Sequence, residues 1–151
     1  MPNLVVDFDK LLTLTGVDLG VTAYREITQE QINTFADATG DHQWIHVDPE
    51  RAKEGPFGAP IAHGFLTLSL IIPFWGELFD VDGVTTKVNY GLDKVRFTSP
   101  VKVGSRIRMQ ATIADITEVK GGAQIKVNAT IEIEGQERPA VVAEFLARFY
   151  K

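Results

Sequence analysis

Ile107, Met109, Ala111 and Ile113 share one parity along the chain, and so do Ala123, Ile125, Val127, Ala129, Ile131 and Ile133. Val141, Ala143, Phe145, Ala147 and Phe149 form a third set. Successive side chains of a strand point to opposite faces, so each set predicts a strand with one apolar face. Lys120-Gly121-Gly122 and Glu134-Gly135-Gln136 lie between the sets as hairpin turns, and short connections make antiparallel neighbours. An earlier strand changes register: Val88, Tyr90 and Leu92 are even, Val95 and Phe97 odd. A β-bulge near Asp93-Lys94 accounts for the change, and two short strands with a bend account for it equally.

Residues before about Phe79 read as helical or irregular instead. Thr28 to Gln31 fits a capping box, with Thr28 as N-cap and Gln31 reaching back. Ile32, Phe35 and Ala36 then recur at helical spacing, which predicts an amphipathic helix over 29–39 closed by Gly40. Asp48-Pro49 restarts a short helix, with Pro at its first position. From Ala59 to Phe79 the apolar residues Phe65, Leu66, Leu68, Leu70, Ile71 and Ile72 lie on nearly every side of a helical wheel. A helix apolar all round is buried on most sides, and Pro73 is expected to kink it or to start its final turn. An antiparallel sheet curled around that helix satisfies both patterns. The expected class is α+β, and the arrangement is a hot-dog fold built as one domain over 1–151.

The rest of the composition narrows the function by exclusion. Net charge is -5, which disfavours nucleic acid as a partner, since that needs clustered positive charge. There is no cysteine, so thiolate nucleophiles and cysteine-based metal sites are excluded. Phe65 to Phe74, the longest apolar stretch, is too short to span a bilayer, which takes about 20 residues. Asp7 and Asp9 break any secretory pattern near the start. The chain reads as soluble and cytoplasmic, with no membrane partner.

Two short runs hold the candidate chemistry. Gly40-Asp41-His42-Gln43-Trp44-Ile45-His46 follows a helix end and reads as a turn, in which Asp41 and His46 can converge. A carboxylate beside an imidazole is a water-activating pair, because histidine exchanges protons near neutral pH. Asp41 capping a turn beside a half-buried His46 fits the residue types equally well. In the second run, Ala59-Pro60-Ile61-Ala62-His63-Gly64-Phe65, Gly64 sits at the mouth of the buried helix. Free N–H groups at a helix start can hold an oxygen that gains negative charge. Simple close packing would also demand a glycine there. Asp41, His42, His46 and Asp48 lack the spacing of a metal site, and no metal is expected. Nor does the chain carry a nucleophile elbow, a Walker loop or a dinucleotide fingerprint. Arg96, Lys102, Arg106 and Arg108 give residues 94–108 a basic tendency that suits either coenzyme phosphates or an ordinary solvated strand face.

Taken together, these runs resemble the MaoC-like family of (R)-specific enoyl-CoA hydratases. The resemblance covers Gly40-Asp41, His46 and Ala52, then Ile61-Ala62-His63-Gly64 with Thr67 and Leu70, and then Val95-Arg96-Phe97, Pro100-Val101 and Gly104. It spans roughly residues 20–150. It implies that Asp41 and His46 hold a catalytic water, which adds to the β-carbon of a trans-2-enoyl thioester to give an (R)-3-hydroxyacyl product. It implies also that Gly64, with His63 beside it, binds the thioester carbonyl. Gln43-Trp44 stands where many members have Asn-Pro, so the turn lacks proline's fixed φ. Gln-Trp-Ile-His is similar to a nodulation-protein-N-like subgroup, and Trp44 either shapes the acyl pocket or packs the turn.

The expected partner is thus an acyl-CoA thioester substrate, with coenzyme A as part of the substrate and no separate cofactor. Dehydration of 3-hydroxyacyl groups on an acyl carrier protein is the alternative, followed by a non-catalytic acyl-binding subunit. Thioester hydrolysis fits these motifs less well. The family implies a homodimer with its sheets joined edge to edge, which also covers an open edge strand.

Overall fold

The three alternating stretches pair as their parity requires. The computed structural model describes residues 2–151. Strands β6 (Arg106–Val119), β7 (Gly122–Ile133) and β8 (Val141–Tyr150) are consecutive antiparallel neighbours. Ile107 faces Ile133, Ala111 faces Ala129 and Val127 faces Phe145 in register, so one face is continuously apolar. Strand β5 (Thr86–Phe97) pairs with β8 and forms one edge of the sheet.

Register shifts in β5 fall at two places, Asn89/Gly91 and Leu92/Lys94. The second, at Asp93-Lys94, decides for the bulge over two short strands with a bend. The first sets Tyr90 out of the ladder, where Arg148 covers its ring at 3.6 Å. Residues paired across strands share a face, so Leu92, Val95 and Phe97 lie on the side of Phe145, Ala143 and Val141. Val88 lies on the other, opposite Arg148. Val88 and Leu92 therefore do not share a face as their parity predicts, because a second bulge at Tyr90 intervenes.

The first half is less purely helical than its pattern suggested. β1 (Leu4–Asp7) pairs in parallel with β4 (Phe79–Asp82). β2 (Asp18–Val21) and β3 (Arg25–Glu26) both pair with β6, and β2 ends the sheet opposite β5. A short helix, α1 (Phe8–Leu11), follows β1. These strands have two to four residues, too few to display alternation.

Helix α2 (Gln29–Thr39) forms where expected. Thr28 accepts the N–H of Gln31, and Gly40 closes the helix at φ 84°, a left-handed conformation that glycine adopts without a Cβ penalty. No return bond from the Gln31 side chain is present among the described residues, so half of the capping box is formed. α4 (Pro49–Lys53) starts on Asp48, whose carboxylate accepts from Arg51 N–H, with Pro at the first position.

The central helix is shorter and less enclosed than residues 59–79. It runs as α5 (Gly64–Ser69) and α6 (Ile71–Leu78), broken at Leu70. Pro73 accounts for the break: it lacks an N–H for the Ser69 carbonyl, and its ring collides with the carbonyl four residues back. Leu66, Leu70, Ile71, Phe74, Trp75 and Leu78 are buried in the core with the apolar face of the sheet. Phe65 and Ile72 are not enclosed, at 70% and 40% exposed. They share this with Tyr90, Leu92 and Phe97 of the edge strand β5, at 54%, 41% and 50%. The helix is apolar all round, but one side faces out of the chain.

Candidate active site

Asp41 and His46 leave the sequence on either side of a tight corner. Gly40 ends α2, Asp41 to Gln43 are irregular, and α3 (Trp44–Val47) is one helical turn that carries His46. The run is therefore a turn followed by a helical turn. Asp41 Oδ1 accepts from the backbone N–H of Gln43 at 3.4 Å, while Gln43 O accepts from His46 N. Trp44 takes the first helical position. Its ring lies where a Cβ on Gly55 would come within 2.8 Å, and the Arg51 guanidinium covers it at 4.3 Å. Trp44 packs the turn. That packing holds the corner without proline, and Gln43 contributes its backbone to it.

His46 is buried, at 6% exposed. Its Nδ1 lies 2.7 Å from the carbonyl oxygen of Ile61. A carbonyl only accepts, so Nδ1 carries the proton and Nε2 keeps its lone pair. Burial holds the imidazole below its ordinary pKa; the Ile61 bond opposes that shift, His63 adds to it and Asp41 opposes it. The ring is thus a neutral base at neutral pH. Gln29, the first residue of α2, donates from Nε2 to His46 O at 2.8 Å and so braces the histidine from behind. Sequence reasoning missed Gln29, since nothing in a 17-residue separation announces the contact.

His63 joins the pair. One ligand-type atom each of Asp41, His46 and His63 lies within 4.8 Å of the other two. The rings of His46 and His63 stack with centroids 3.9 Å apart and planes 22° apart. A metal bound by imidazole lies in the plane of the ring, and nearly parallel planes offer no common in-plane point between them. The cluster suits water better than an ion. Of the other candidates, His42 turns away to Asp37 at 3.0 Å, and the hydrogen bond to that carboxylate raises its pKa. Asp48 is occupied as the cap of α4.

Gly64 is the first residue of α5, so its N–H has no intrahelical acceptor. It lines a cavity of about 310 Å³ with Ile61, Ala62, Thr67, Phe97 and Val101. A Cβ on Gly64 would meet the Phe97 ring at 3.0 Å, so a side chain there would crowd the cavity wall. Asp41 and His46 do not line this cavity. Segment 61–64 connects the two regions: Ile61 O holds His46, and Gly64 lines the cavity.

The four basic residues separate into two kinds. Arg106 pairs with Glu134 at 2.8 Å and Arg108 with Glu132 at 3.2 Å, and both guanidinium groups lie over the Tyr24 ring. They belong to a strand face. Lys102 is exposed beside Val101 of the cavity, and Arg96 donates to the backbone of Val95.

The antiparallel sheet curled against its central helix defines a hot-dog protein. Residues 12–136 match the family described as MaoC like domain, and the chain belongs to that family. A 3-hydroxyacyl-thioester dehydratase Z of Mycobacterium tuberculosis is 49% identical over 140 residues, covering 92% of this chain and 93% of the relative. Nodulation protein N of Rhizobium meliloti is 41% identical over 150 residues, covering 94% and 90%. Among solved structures, a monoamine oxidase regulatory protein from Archaeoglobus superposes at TM-score 0.80 with 25% identity, covering 100% of this chain and 99% of that one. An (R)-hydratase from A. caviae gives 0.70 at 24% identity over 88% and 94%, which bears on fold alone. The chemistry of this class is that of a hydro-lyase. No helix among the described residues is long and apolar enough to cross a membrane.

Proposed function

We propose that the chain is an (R)-specific enoyl-CoA hydratase, interconverting a trans-2-enoyl-CoA and an (R)-3-hydroxyacyl-CoA. The observation that carries this reading is the tautomer forced on His46: Ile61 O accepts a hydrogen bond from Nδ1–H, which leaves Nε2 as the free nitrogen of a ring clustered with the Asp41 carboxylate. A water bound between them loses a proton to Nε2 as its oxygen bonds to the β-carbon. Electron density moves to the thioester oxygen, and Gly64 N–H at the mouth of α5 is the donor for it. The α-carbon takes one proton from the pair, so the net addition is H and OH; the reverse order expels water. Asp41 orients the water and balances the imidazolium formed in passing.

Coenzyme A rather than an acyl carrier is the thioester we favour. A carrier presents an acidic surface, and α2 with its following corner shows exposed Glu30, Asp37 and Asp41. Initial rates with crotonyl-CoA and with the same acyl group on a carrier protein test this. Faster turnover per unit concentration of the carrier thioester would favour the alternative, a 3-hydroxyacyl carrier dehydratase.

Hydration needs His46 neutral, and burial lowers its pKa. The neutral base therefore persists as pH falls past the ordinary histidine value. The acidic limb of kcat/KM, which reports the free enzyme, is expected to have its midpoint below about 6.5. A midpoint at or above that value would contradict the assignment of the base.

The reading includes a homodimer. β5 is a 12-residue edge strand with exposed apolar side chains, flanked by exposed Phe65 and Ile72. Such an edge invites pairing. Light scattering at micromolar concentration is expected to give twice 16.7 kDa, and a monomer mass would count against it.

A further inference from the structure

His63 is 3% exposed, and hydration as described above asks nothing of its side chain. Its Nε2 lies 2.9 Å from the backbone oxygen of Asp41, across 22 residues of chain. The oxygen can only accept, so the proton sits on Nε2. Nδ1 is then a bare nitrogen, and it is the buried side-chain polar atom without a hydrogen-bond partner among the described residues. A buried acceptor left unpaired costs about 1–3 kcal/mol, so its retention asks for a reason.

The surroundings give one. One face of the ring stacks on His46, and the ring of Phe35 from α2 lies 4.7 Å away and tilted. The backbone of His63 is the N-cap of α5, immediately before Gly64. A single residue thus touches the acid–base corner twice, through Asp41 O and the His46 ring, and is bonded to the proposed oxyanion donor. An N–H at Nδ1 would face no acceptor, so the Nε2–H tautomer is the one the surroundings satisfy.

We propose that His63, as the Nε2–H tautomer, is the positioning residue that locks the Asp41-His46 corner to the mouth of α5. Its role in catalysis rests on the hydratase reading; the tether and tautomer do not. The geometry makes two separable demands, a donor at Nε2 and a flat ring against His46. His63→Gln keeps a donor near the Nε2 position and loses the ring. His63→Phe keeps the ring and loses the donor.

Long-range proton–nitrogen NMR of the ¹⁵N-histidine-labelled wild type at pH 8 reads the tether without any substrate. His63 is expected as a single Nε2–H tautomer and His46 as a single Nδ1–H tautomer. In His63→Phe, the His46 ring signals are expected to broaden or split as the corner loosens. A mixture of tautomers at His63, or an unchanged His46 spectrum in His63→Phe, would overturn the proposal. Crotonyl-CoA kinetics on folded variants supply the second arm. His63→Phe is expected to lower kcat about tenfold or more with KM within about twofold, and His63→Gln to recover most of that loss. Equal losses in both variants, or a loss confined to KM, would contradict a role through Nε2–H. A wild type inactive on every enoyl thioester would sink the hydratase reading, while the NMR arm would still decide the tether.

Discussion

Asp41→Asn and His46→Gln are each expected to lower kcat for crotonyl-CoA hydration by about a hundredfold or more in folded protein. General acid–base participants contribute about 10²–10⁴-fold, and the two residues act on one water, so their losses should not add. The double variant is expected to lie close to the worse single variant. Asparagine keeps the size and hydrogen-bonding shape of Asp41, including an oxygen able to accept from Gln43 N–H. Loss there would reflect the missing charge rather than a collapsed corner. Glutamine at 46 cannot supply a base. Full activity in either folded variant would remove that residue from the chemistry.

Phe74→Ala is expected to destabilise the fold by about 3–5 kcal/mol, the range for removing a buried aromatic ring. Phe74 is fully buried on α6, in the core shared with Ile107, Met109 and Phe145. Collapse around the hole is limited, because α6 is anchored on both sides of it by buried Ile71 and Leu78. For a chain of this length each kcal/mol moves Tm by about 2–4 °C, so thermal unfolding should shift down by about 6–20 °C. A shift under 3 °C would mean that the helix is less tightly held than its burial indicates.

The strand half of the fold was legible because burial on one face writes a period of two into the sequence. Ile107 to Ile113 and Ala123 to Ile133 needed no other clue. The first half was less so. β1, β2 and β3 are too short to show a period, and their places are fixed by β4 and β6, far along the chain. The apolar run around Phe65 and Ile72 predicts enclosure, whereas those side chains form an open side of the molecule next to β5. Hydrophobicity in a sequence says that a surface is covered by something and does not say by what.

The site divides the same way. Asp41 and His46 stand out because two chemically useful residues follow a helix-ending glycine within one short run. Nothing local indicated that Ile61 O would set the tautomer of His46, that Gln29 would brace it or that His63 would stack on it. Each contact closes a loop of 15 to 17 residues. The role of Trp44 is set by Gly55 and Arg51 against its ring, contacts that the run 40–46 does not contain.

The central claim is that this corner adds water to an enoyl thioester from one face. Incubating the purified wild-type chain with crotonyl-CoA, following the loss of enoyl absorbance and fixing the product's configuration by chiral chromatography tests it most directly. The account predicts hydration to (R)-3-hydroxybutyryl-CoA. An (S) product, or no hydration of crotonyl-CoA or of longer enoyl-CoA and carrier thioesters, would contradict it.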